Sequence, residues 1–409
     1  MNRINLEKYA TLLVKTGINL KKGQILVIRT PIECAEFARI VSEVAFKAGA
    51  GDVAFMWSDE IAAKIRYLYG PDEIFDTFPS WQKEFFLSYA RKDAAFLSIS
   101  ASNPEAMKGV NPERMQRYSR VSSEAIAEYR KRMMNNENVW CVASVPTEAW
   151  AKKVFPNVGS EAAVSKLWDA ILSATRVYES NPVEAWEIHK ENLKGNVAKL
   201  NNFKLKKLHF TNSLGTDLHI ELPEGHLWMG GSDFTPDGHE FIANMPTEEV
   251  FTAPLKTGVN GKVVASMPLN FNGSLIRNFE LEFKNGAVVS YRAEEGEEQL
   301  KMLIETDEGS KFLGEVALVP YDSPISNTGI LFYNTLFDEN AACHLALGEA
   351  YPVCVEGGEH MDADTLDAHG INRSITHEDF MIGTADLSVK GIDGQGREIL
   401  IFKEGNFVI

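Results

Sequence analysis

GQILVIRTPIECAEFARIVSEVAFKAGAGDVAFMW, residues 23–57, is the stretch whose reading decides the fold class. Gln24 to Ile28 is a short apolar run behind Gly23, of the length and branched character of a buried strand. From Cys34 to Lys47 the apolar residues recur at helical spacing, and Gly49 then stands where a helix commonly ends in left-handed backbone. Asp52 to Trp57 is a second strand-like run. Strand, helix and strand in succession make a βαβ unit, whose crossover forces the two strands to lie parallel and covers the sheet. Working outward, Ala94 to Ile99 and Val139 to Ala143 supply two more strands, separated by a polar helical stretch from Pro112 to Met134. The N-terminal half is therefore expected to be a mostly parallel α/β sheet with helices on both faces. Gly49-Ala50-Gly51 follows a helix and precedes a strand, the reverse of the dinucleotide-binding context, and there is no phosphate-binding lysine loop. No nucleotide is expected.

Two helical stretches, Ser160 to Val177 and Val183 to Leu200, lead to a change of texture near Lys204. Hairpin signals then dominate. Lys207 to Leu222 reads as two strands around Asn212 to Gly215; Leu281 to Tyr291 turns at Asn285-Gly286; Leu387 to Phe402 turns at Asp393-Gly394. Glu294 to Glu305 is the clearest helix there. These signals place a boundary at about residue 195, with an N-terminal α/β domain over 1–195 and a mixed, β-rich α+β domain over 196–409.

A chain of 409 residues exceeds one ordinary core, and 44% hydrophobic with 24% charged residues is a normal globular balance. The formal net charge of −16 repels a phosphate backbone, so nucleic acid is not expected as a partner. The N-terminal apolar residues are interrupted by Asn, Glu and Lys, unlike a signal peptide or membrane anchor; a cytoplasmic protein without membrane association is expected. The four cysteines, Cys34, Cys141, Cys343 and Cys354, form no CxxC pair and read as free buried thiols.

All nine histidines lie at or beyond His189, so histidine-dependent chemistry belongs to the second half. Four segments there carry candidate groups. In His377-Glu378-Asp379 an imidazole and a carboxylate share one face if the segment is a strand, a pairing suited to zinc, cobalt or manganese; it also suits a surface hydrogen bond. His344 lies among small residues in Phe337 to Gly348, which let a ligand approach, although a core histidine bonded to a carbonyl has the same surroundings. Thr247-Glu248-Glu249-Val250 has two carboxylates, of which extended backbone turns only one to a given site. Glu315 heads the apolar run Val316 to Val319, and a carboxylate buried there needs compensation costing or returning several kcal/mol, on the order of what a metal ion supplies.

In their order along the chain, the segments NMPTEEVFTAP, LGEVALV, LFDENAACHLALGEAYP and HEDFMIG resemble those of the thermophilic-type metalloaminopeptidases, the family of aminopeptidases T and S, and the resemblance runs from end to end. It implies an N-terminal α/β domain and a C-terminal domain with two metals. It implies metal ligands at Glu249, Glu315, His344, His377 and Asp379, with Glu248 the alternative to Glu249, and an active-site tyrosine at Tyr351. The stretch 356–373 matches less clearly, and neither His360 nor His369 is assigned to the metals. Peptides with a free N-terminus as substrates, and a homodimer, are likewise what the resemblance implies.

Charge counting agrees with this set. Two divalent ions bring four positive charges against three carboxylates, and one hydroxide neutralises the remainder. Five side chains for two ions require one acid to bridge, and Glu315 is the candidate. Tyr351 could donate to a tetrahedral oxyanion or simply pack beside Pro352. Glu339 could move the proton, with Glu248 as rival, or could orient His344. The contrasting reading is a metal-independent α/β protein binding a small ligand. A nucleophilic hydrolase is disfavoured by the lack of a G-x-S-x-G elbow.

Overall fold

The structure is a computed structural model that describes residues 2–101, 103–271 and 274–409. The chain divides into two compact units, Met1–Glu187 with Ser232–Pro246, and Ile188–Gly231 with Thr247–Ile409.

In the first unit, β1 (Ile25–Pro31), β2 (Asp52–Ser58), β3 (Ala95–Ile99) and β4 (Trp140–Ala143) form a parallel sheet in the order β2-β1-β3-β4. Its helices are α1 (Arg3–Leu12), α2 (Ala35–Ala48), α3 (Glu60–Tyr69), α4 (Ser80–Ala90), α5 (Pro112–Ala125), α6 (Ala127–Met134), α7 (Glu148–Val154) and α8 (Ser160–Ala174). Leu26, Val27 and Ile28 of β1 are fully buried, and α2 buries Phe37, Ala38, Ile40, Val41 and Ala45 as one stripe. Gly49 ends α2 at φ 99°, its N–H donating to the carbonyls of Ala45 and Phe46. The continuous helix expected over 112–134 is instead two, interrupted at Ile126, which leaves helical backbone at φ −108° and ψ 24°. Neither Gly nor Pro marks that break. β8 (Asp233–Phe234) and β9 (Glu240–Phe241) pair antiparallel within the returning segment.

Helix α9 (Pro182–Phe203) carries the chain into the second unit. There β5 (Leu205–Thr211), β6 (Asp217–Glu221), β11 (Val259–Val264), β12 (Leu269–Phe271), β13 (Ser274–Lys284), β14 (Ala287–Glu295), β18 (Ser388–Asp393), β19 (Glu398–Lys403) and β20 (Asn406–Phe407) form a nine-stranded sheet. A five-stranded antiparallel sheet runs β17 (His377–Met381), β16 (His344–Gly348), β15 (Leu313–Leu318), β10 (Val250–Thr252) and β7 (Met229–Gly230). Three helices complete the unit: α10 (Glu297–Ile304), α11 (Thr335–Asp338) and α12 (Ala363–Ala368). One apolar core joins the two sheets, with Leu208, Phe210, Leu218, Ile220 and Phe279 from the larger and Val316, Leu318, Leu345, Leu347 and Phe380 from the smaller. Asn285 and Gly286 both take positive φ, 51° and 84°, as the two-residue turn between β13 and β14 requires. The turn after Asp393 is wider than two residues: its carboxylate accepts N–H groups of Gln395 and Arg397 at 2.8 and 2.9 Å. The protein is thus mixed α/β, with one parallel sheet and antiparallel sheets.

Candidate metal centre

The smaller sheet has two chemically different faces, because successive residues of a strand point to opposite sides. Val316, Leu318, Leu345, Leu347 and Phe380 face the core. Glu315, His344, His377 and Asp379 take the alternate positions. Cross-strand register then aligns them: Glu315 of β15 pairs with Ala346 of β16, and Ala346 pairs with Asp379 of β17. The methyl of Ala346 therefore separates two carboxylates in one row and leaves room between them. His344 stands one row away opposite Ala317, and His377 one row the other way opposite Gly348.

Glu249 immediately precedes β10 and reaches the same side. Its Oε2 lies 3.1 Å from His344 Nε2. Glu315 turns its two oxygens to different partners, Oε1 to His344 Nε2 at 3.4 Å and Oε2 to His377 Nε2 at 3.5 Å. His377 Nε2 is also 3.4 Å from Asp379 Oδ1. Donor atoms of Glu249, Glu315 and His344 lie within 4.8 Å of one another, and so do those of Glu315, His377 and Asp379. Glu315 is common to both groups. All five sequence-expected ligands thus come together on one sheet face.

The imidazoles are oriented from behind. Nδ1–H of His344 donates to the Ala342 carbonyl at 3.2 Å, and Nδ1–H of His377 to the Glu349 carbonyl at 2.7 Å. A carbonyl can only accept, so each Nδ1 carries a proton and each Nε2 faces the carboxylates, the nitrogen that an ion would take in place of its proton. Burial pushes the Glu315 carboxyl above its ordinary range against the hydrogen bond from His344, with Glu249 and Asp379 pushing the same way. Glu339 is pushed well above by burial and by the charges of Asp379 and Glu249. Burial would lower the His377 pKa, yet Asp379 and Glu315 outweigh it and raise it to about 10. Negative charge is therefore in excess in a buried place, and a divalent cation would offset it. The donor set fits such ions.

Glu248 turns elsewhere: its Oε2 is 3.5 Å from His189 Nε2, and its N–H donates to Asn340 Oδ1 at 2.8 Å. His189 also bonds the Thr247 carbonyl at 2.8 Å, so this histidine of α9 holds the segment that presents Glu249. Sequence reading missed it, since no local motif links α9 to that segment. Glu339 is buried and receives the Asn340 side-chain amide at 3.3 Å. The Tyr351 ring meets that of His377 edge-on at 5.2 Å, and burial raises its hydroxyl pKa well above the usual value. His360 and His369 are exposed and join neither group. The four cysteines are free and buried.

Asp307 was also invisible in the sequence. Its carboxylate accepts from the N–H groups of Gly309, Ser310 and Ile375 and from the Ser374 hydroxyl, at 2.7–2.9 Å. These bonds pin the strap leading into His377.

A buried sheet face that gathers carboxylates and imidazoles in this way is the donor set of a metal-dependent enzyme. The family model for thermophilic metalloproteases (M29) matches residues 2–407, and the chain belongs to that family. It is 45% identical over 402 residues to aminopeptidase AmpS of Bacillus subtilis (strain 168), covering 98% of each chain. It is also 45% identical over 402 residues to aminopeptidase 2 of Geobacillus stearothermophilus, covering 98% of this chain and 97% of that one. The solved structure of wild-type AmpT from Thermus thermophilus superposes with a TM-score of 0.93 at 40% identity, over 99% of each chain. Among the described residues no helix is long and apolar enough to cross a membrane.

Proposed function

We propose that this metalloaminopeptidase removes N-terminal residues from peptides using two divalent ions of the zinc, cobalt or manganese kind. The supporting observation is that Glu315 presents one oxygen to His344 and the other to His377, so that a single carboxylate belongs to two donor groups. Glu249, Glu315 and His344 would hold one ion, and Glu315, His377 and Asp379 the other. Ions bound there supply Lewis-acid activation of water and of the scissile carbonyl.

The chain's own groups do the rest. Ala342 and Glu349 carbonyls keep both imidazoles turned toward the site. Glu339, whose proton affinity is raised by burial, can take a proton from water and return it to the leaving amine. Tyr351 keeps its proton at neutral pH and can donate it in a hydrogen bond to the tetrahedral oxyanion. The preference for free amino ends is taken from the names of the relatives. The test is metal content per chain measured beside release of amino acids from unblocked and N-acetylated peptides. Full activity in rigorously metal-free protein, or equal cleavage of blocked peptides, refutes the proposal.

A further inference from the structure

On the nine-stranded sheet, His209 of β5 and His219 of β6 occupy directly opposed antiparallel positions. Asp217 lies two residues before His219, hence on the same face. Leu208, Phe210, Leu218 and Ile220 take the alternate positions and fill the core. The three polar residues therefore stand on the outward face, remote in function from the carboxylate-rich centre on the other sheet.

Their side chains converge. The two imidazole rings stack with centroids 4.0 Å apart and 16° between planes. Asp217 Oδ1 accepts from His209 Nε2 at 2.7 Å. One ligand atom of each of the three residues lies within 4.8 Å of the others. Among the described residues no hydrogen bond commits a ring nitrogen of His219, and its Nδ1 is enclosed without a partner. Two other cations on this face are engaged: Lys262 pairs with Glu280 at 2.7 Å and Lys390 with Glu398 at 2.9 Å.

We propose that His209, Asp217 and His219 form a second, non-catalytic metal site that takes one transition ion such as copper, nickel or zinc. Two nitrogens and one oxygen favour these ions over magnesium or calcium, which prefer all-oxygen shells. Metal–ligand bonds near 2 Å set ligand atoms roughly 3.3 Å apart, so the rings must splay about their soft terminal torsions and the His209–Asp217 hydrogen bond must open slightly. The exposed sides of His209 and Asp217 permit this and leave solvent to complete the shell. An ion there clamps β5 to β6 and ties down the turn at Asn212 to Gly215.

The test is equilibrium dialysis of the full chain against buffered free zinc, and separately nickel, comparing wild type with His219→Gln, His209→Gln and Asp217→Asn. The expected result is one ion fewer per chain in each variant at concentrations that saturate wild type, with peptide hydrolysis unchanged. A difference between proteins is read, so the result does not depend on how many ions the catalytic centre holds. Should His219→Gln fail to fold, the two more exposed substitutions decide. Equal metal content in wild type and in the folded variants overturns the proposal.

Discussion

Glu315→Gln isolates the electrostatic argument for the metal centre, because it keeps the shape of the side chain while deleting the charge shared by both donor groups. In metal-free protein the native carboxylate is buried beside Glu249 and Asp379, which raise its proton affinity. Because its surroundings favour the uncharged form, replacing it with a neutral amide should leave the metal-free fold no less stable. In the presence of metal the sign reverses. An ion at 100 times its dissociation constant adds about 2.7 kcal/mol, which for a unit of roughly 150–250 residues is about 5–11 °C in Tm at 2–4 °C per kcal/mol. Wild type should show that metal-dependent rise and the variant little or none. Peptidase activity should fall on the order of 1000-fold, equivalent to about 4 kcal/mol of barrier. Calorimetric scans with and without metal, beside initial rates, check both halves. A variant that keeps the wild-type metal-dependent rise in Tm, together with wild-type activity, would refute the reasoning.

Three further perturbations follow from the geometry. Ala346→Leu puts branched carbon into the row between Glu315 and Asp379; overpacking of about 1–3 kcal/mol and loss of bound metal are expected, measured by denaturant titration and metal analysis. Gly348→Ala should destabilise by at least about 1–3 kcal/mol, since Gly348 has φ 110° and an added Cβ would meet the Thr376 carbonyl oxygen at 2.1 Å; unchanged thermal stability would contradict the structure. Asp307→Ala should cost about 2 kcal/mol after allowance for solvent, and slow catalysis by loosening the strap before His377. Burial opposes ionisation of Asp307, but donors from Ile375, Ser374, Ser310 and Gly309 outweigh it and hold its pKa below the ordinary value. Its stabilisation is therefore fully present above the unfolded carboxylate pKa of about 3.9 and is lost as pH falls through the lower folded value. The difference in stability between wild type and Asp307→Ala should accordingly shrink below about pH 4.

What the sequence determined by itself rests on local periodicity. The βαβ rhythm around residues 23–57 specified a parallel sheet, because branched apolar runs, a helical stripe and the Gly49 stop all act within a few residues of one another. Alternation in His377-Glu378-Asp379 likewise predicted that the histidine and the aspartate share a face, since the period of a strand is two. The Asn285-Gly286 turn was legible for the same reason: both residues tolerate positive φ. The broken helix at Ile126 was not legible, as nothing in its composition opposes continuation.

Only the tertiary structure decided what depends on register between distant strands. That Ala346 separates Glu315 from Asp379, and that the two oxygens of Glu315 face different imidazoles, follows from contacts among residues 29 or more positions apart, to which a local pattern is blind. The same holds for the choice between neighbouring acids. Glu248 and Glu249 are chemically identical, and it is His189, arriving from α9, that engages one while His344 meets the other. Asp307 gathers its donors from chain on both sides of the sheet strands it serves. Which groups the chain contains, and which face of a strand each takes, are local properties; which of them meet is set by how the strands pair, and that is a property of the folded whole.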